Sequence, residues 1–126
     1  MGFQQSIVKA KKGKEEELIA FAVNDEKWFA ERCISPYSAV RVSKDLFLRG
    51  STYKKGEICL VVGGDRQYQR CTEKGGLSDL EFVDDILFID GIMYDLNSEK
   101  DDGELLDEYF PVIKDESFYE NLRQNG

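Results

Sequence analysis

The chain has 126 residues, 41% of them apolar, with eight Phe, six Tyr and one Trp, and a net charge of −8. That is enough to build the core of one domain, residues 1–126, without disulfides or a metal. It contains no histidine, so the commonest general base, proton shuttle and metal ligand is missing.

Serine and cysteine triads that depend on histidine are therefore impossible within one chain. No Cys-x-x-Cys pair, dinucleotide fingerprint, P-loop or nucleophile elbow occurs, which removes the usual zinc, nucleotide and hydrolase readings. The expectation is a protein that is not an enzyme and takes no cofactor. No apolar run approaches the ~18 residues that a membrane span needs. Cys33, Cys59 and Cys71 are odd in number and no secretory leader pattern precedes them, so a reducing, cytoplasmic setting is expected. "MGFQQS" matches the N-myristoylation pattern at Gly2 and Ser6, with Lys9, Lys11, Lys12 and Lys14 behind it. Against that, Phe3, Ile7 and Val8 suit an edge strand, and no membrane partner is expected.

In chain order, "QQSIVKAKKGKEEELIAFAV" has two β-capable ends around a lysine-rich centre, which fits a hairpin. Leu18, Ile19 and Ala22 fall equally well at helical spacing, and the two readings of residues 15–23 stay open. A helix follows over "NDEKWFAERC", where Asn24 or Asp25 can cap, and it must end before Pro36. Strands are predicted over "SAVRVS", "GEICLVV", "RQYQRCT", "DILFI" and "IMYDL". Gly63-Gly64-Asp65 is expected to turn one hairpin, and Asp90-Gly91 to supply a type I′ turn in another. "ICLVV" and "ILFI" are apolar on both faces and read as central strands, with helices over one face. A last short helix is expected over "DESFYENLRQ", with Ser117 and Glu120 at capping-box spacing.

The expected class is α+β: a small bent antiparallel sheet or a partly open barrel, one helix near the N-terminal third and a short C-terminal helix. "TYKKGEICLVVGGDRQYQRC" resembles the start of SH3-like barrels; the resemblance is architectural and implies no particular function.

Charge divides the chain unevenly. Residues 1–75 carry 14 Lys and Arg against 10 acids, whereas residues 76–126 carry 3 against 15. The densest acidic stretch, "DLNSEKDDGELLDE" over residues 95–108, fails as an EF-hand in either register. With the loop started at Asp95, Lys100 stands where glycine is needed and Leu106 where the bidentate Glu is; with Gly103 at position 6, Lys100 and Tyr109 fall at ligand positions. Three uses remain: a solvated face, an interface for a basic protein, or a nucleic-acid mimic in which Asp79, Glu81 and Asp85 line one face of a strand. The favoured function is a non-catalytic cytoplasmic inhibitor or modulator, of immunity or phage type, that binds a basic protein partner. Tyr94, Asp101, Asp102, Glu104, Asp107, Glu108 and Tyr109 are the expected contacts, with aromatics as anchors and carboxylates for steering. Replacing Asp101, Asp102, Glu104 and Asp107 by their amides is expected to slow association with the partner while changing folding little. The alternatives are a mimic that blocks a nucleic-acid-binding enzyme and a small enzyme with paired carboxylates. Direct nucleic-acid binding is not expected, since the basic part lacks clustered Arg and aromatic platforms.

Overall fold

A computed structural model describes residues 4–64 and 66–123, apart from the side chain of Tyr37. Gly2 and Phe3 of the myristoylation pattern, and Asp65, lie outside the described residues. The class is α+β. Four antiparallel strands make the main sheet in the order β2-β5-β1-β6: β1 Gln4–Ala10, β2 Ser35–Arg41, β5 Ile58–Gly64 and β6 Val83–Phe88. A separate hairpin pairs β3, Leu46–Leu48, with β4, Ser51–Tyr53. The main sheet is open, not closed into a barrel.

The helical reading of the early chain is the correct one: α1 spans Glu15–Asn24. Glu15, Glu16 and Glu17 fill its first turn, where the partial positive charge of the helix end favours carboxylates. Leu18, Ile19 and Ala22 then bury one stripe. After α2, Glu26–Glu31, Cys33 takes a positive φ of 55° and redirects the chain into β2. The helix thus ends before Pro36 is reached.

Strand alternation sorts the core into two layers. Val8, Leu60, Val62 and Ile86 face α1, α2 and α3, Gln67–Thr72, together with a 3-10 turn at Leu77–Asp79. Ile7, Val61, Val40 and Leu87 face the other way, beneath the β3–β4 hairpin, α4, Ile92–Asp95, and α5, Asp102–Tyr109. Each fully buried Phe, Leu or Ile contributes about 1.5–3 kcal/mol; Phe29 on the first face and Phe110 on the second are among the largest.

Several expectations are corrected. Helices cover both faces, because the outer strand pair is too small to cap the second layer alone. The stretch "QYQRCT" is helix α3, not a strand, with Gln67 and Cys71 buried one turn apart. β5 therefore runs into a helix, and no hairpin follows Gly63 and Gly64. "IMYD" is helix α4, and Gly91, at φ 85°, is its N-cap, so Asp90-Gly91 starts a helix instead of turning a hairpin. The two-residue turn with both φ positive is Arg49-Gly50, between β3 and β4. β6 is an edge strand despite its apolar run, and β1 lies inside the sheet. The C-terminal helix α6, Glu116–Leu122, is capped by Asp115, which accepts from the Ser117 N–H, not by Ser117.

Among the described residues no helix is long and apolar enough to cross a membrane.

Candidate functional site

The seven residues predicted to meet a partner do not form one constellation. Asp101 caps α5 by accepting the Glu104 N–H at 2.8 Å, and Glu104 Oε1 accepts the Asp101 N–H at 3.3 Å. This is a capping box built with aspartate. Asp102 reaches to the neighbouring helix: its two oxygens accept the N–H groups of Gly91 and Met93, each at 2.9 Å, and so hold the start of α4. Three carboxylates of the acidic stretch thus close helix ends that would otherwise leave donors unpaired. These bonds weigh against the expectation that amides at these positions change folding little.

At the far end of α5, Glu108 receives Lys44 Nζ at 2.6 Å on one oxygen and Lys100 Nζ at 2.5 Å on the other. Lys100 first and Lys44 second hold its carboxyl down at about 2, while the bond to Glu108 moves the Lys44 ammonium upward. Lys44 also lies 4.8 Å over the Tyr109 ring, which is half-buried. Asp107 is exposed and makes no ion pair among the described residues.

Tyr94 is 77% exposed on α4. What the sequence reading missed is its counterpart on the hairpin, Phe47, 68% exposed on β3. Arg49, two residues after Phe47, forms an ion pair with Asp95, the residue after Tyr94. Arg49 donates further bonds to the carbonyls of Phe88 at 2.6 Å and Asp90 at 2.8 Å. Its guanidinium therefore ties the hairpin tip to the start of α4, although a non-glycine residue at φ 50° is uncommon. The signal for this was present in "LFLRGST": an apolar residue between two others in a short strand leaves one side chain facing outward.

The outer surface of the hairpin, α4 and α5 lies over the second core layer. Over residues 90–110 it bears eight carboxylates and a single lysine. The row expected for nucleic-acid mimicry is not built. Asp79 sits in the 3-10 turn and accepts the Gly75 N–H, and Glu81 precedes β6. Asp85 lies in β6, hydrogen-bonded by the Ser51 hydroxyl. Among the described residues no group of three or more Cys, Asp or Glu is placed to hold a metal ion.

No family model, no curated protein and no solved structure matches this chain.

Proposed function

We propose that this is a non-catalytic protein that binds and modulates a basic protein partner through the outer surface of the β3–β4 hairpin, α4 and α5. The observation that carries the reading is the pair of exposed aromatics, Phe47 and Tyr94, on two elements that the Arg49–Asp95 ion pair ties together. Large aromatics on rigid elements lose little entropy on binding and supply hot-spot energy, while the surrounding carboxylates speed encounter with a cation-rich surface. The acids free to steer are Asp90, Glu99 and Asp107, which are exposed and cap no helix; Asp101, Asp102, Glu104 and Glu108 add charge but also hold the surface together. The resemblance of residues 52–71 to SH3-like barrels plays no part in this proposal.

Photo-crosslinking tests it. A benzoylphenylalanine at position 94 or 47 should capture a basic protein in the native host, whereas one at Lys27, on the opposite layer, should not. Asp90→Asn, Glu99→Gln and Asp107→Asn together should slow capture and flatten its salt dependence. Equal capture from Lys27, or capture indifferent to those charges, would defeat the proposal. DNA competing for the same partner would favour the mimic instead.

A further inference from the structure

We infer that the outer edge of β6 is a second binding site, a slot for one extended, lysine- or arginine-bearing strand of a partner chain. In the antiparallel ladder Ser6 stands opposite Phe88, Ile7 opposite Leu87 and Val8 opposite Ile86. The Ile89 N–H bonds the Gln5 carbonyl. Hydrogen-bonded and non-bonded pairs alternate, so Leu87 exchanges bonds with Ile7, while the N–H and C=O groups of Ile86 and Phe88 point away from β1. Among the described residues no strand lies beyond them.

Two of these four outward groups are plugged by side chains. Asp85 Oδ1 accepts the Ile86 N–H at 2.9 Å, and Arg49 Nη1 donates to the Phe88 carbonyl at 2.6 Å. The Ile86 carbonyl and the Phe88 N–H remain to pair with an incoming strand. The space beside them is formed already: two adjoining hollows of about 120 and 300 Å³ run along β6. Tyr68 and Thr72 of α3 wall them on one side and Arg49 on the other. Tyr68 is 42% exposed, with its ring 5.9 Å from that of Phe88. The slot thus combines main-chain hydrogen bonds for affinity with an aromatic wall for side chains, the arrangement that strand addition requires.

Charge decides the occupant. Asp84 and Asp85 lie on the edge itself. A second copy of this chain paired two-fold about Leu87 would set Asp84 opposite Asp90 of the other copy, and like charges directly opposed destabilise a strand pair. A strand with cations at alternate positions can instead set one of them against Asp84, the exposed carboxylate of this edge. This site shares Arg49 with the outer-layer surface but does not rest on the partner proposed there.

The probe is a short blocked peptide of alternating lysine and valine, titrated into the isotope-labelled chain while amide shifts are followed. Saturable changes centred on Asp84, Ile86 and Phe88 are expected, and a glutamate-valine peptide should give none. Phe88→Pro removes an N–H that β1 does not use, and proline is tolerated at edges; it should abolish binding, while Phe88→Ala, which keeps the N–H, should retain it. Arg49→Ala, by freeing the Phe88 carbonyl, should tighten binding about tenfold. Tyr94→Ala should leave it unchanged, so failure here and failure of the outer-layer surface are separable. No saturable change at these amides, binding that survives Phe88→Pro, equal binding of the acidic peptide, or a doubling of mass through β6 would each overturn the inference.

Discussion

Asp102→Ala should destabilise the fold more than any other neutralisation in the acidic stretch, because it unpairs two backbone donors on a helix other than its own. The carboxylate holds the Gly91 and Met93 N–H groups at 2.9 Å each and is half-buried. Loss of an N-cap typically costs about 1 kcal/mol, and a second bond to a charged acceptor brings the expected total to about 2 kcal/mol. With an unfolding entropy near 2.1 cal/mol/K per residue, 126 residues convert this to a fall of about 7–8 °C in Tm. Asp102→Asn keeps one acceptor oxygen and should lose about half as much; Asp101→Ala, which removes a single capping bond, should cost about 1 kcal/mol. Thermal denaturation followed by circular dichroism reads all three. If Asp102→Ala melts within about 2 °C of the parent, α4 does not depend on this carboxylate, and the rigid display of Tyr94 loses its basis.

In native protein the exposed Cys33 should react with an aromatic disulfide reagent well before Cys59 and Cys71, whose thiols burial pushes up to about 12 and about 11; denaturation should release all three. Gly76→Ala should cost about 2–3 kcal/mol, since a Cβ there would lie 2.5 Å from the Arg70 carbonyl oxygen and 2.7 Å from that of Cys71. Gly75→Ala meets open space and should cost about 1 kcal/mol through its positive φ alone; urea melts of the pair compare them. Glu108 is ionised in the fold down to about 2 against an ordinary 4.5, so its contribution is complete above 4.5 and is lost as pH falls from 4.5 through 2. Carboxyl NMR should place its midpoint near 2, and Lys100→Ala should raise it.

The strands that the sequence announced are those with long apolar runs. "ICLVV" and "ILFI" mark β5 and β6, because runs of five and four consecutive apolar residues fit a sheet covered on both faces. Whether each is central or an edge is not written in its apolar run; it shows only in the fold, where β5 is buried at every residue after Ile58 while in β6 Asp84 is exposed and Asp85 and Phe88 are half-buried. "QYQRCT" was misread because Tyr, Cys and Thr favour strands locally, and only the tertiary burial of Gln67 and Cys71, four apart, makes it a helix. The aspartate-based capping box at Asp101 and Glu104 was legible from its spacing, but the density of negative charge drew those residues toward partner binding. Phe47 and Tyr94 show the converse limit. Nothing in the chain states that the β3–β4 hairpin folds back beside α4, since that contact depends on Arg49, forty-six positions from Asp95.

The place of β1 has a consequence for synthesis. Its neighbours in the finished sheet, β5 and β6, begin at Ile58 and Val83. At ~5–20 residues per second, roughly 4–16 s pass between translation of Ala10 and of Phe88. "SIVKA" has no strand to pair with until Ile58–Gly64 is made, and its other edge stays open until Phe88, yet every one of its residues but Lys9 ends up buried. The first strand made is enclosed only when the sixth arrives, so a ribosome stalled between them holds a sticky nascent segment. The lysines that immediately follow, at positions 11, 12 and 14, are placed to keep that waiting segment soluble, as charged gatekeepers do beside hydrophobic strands.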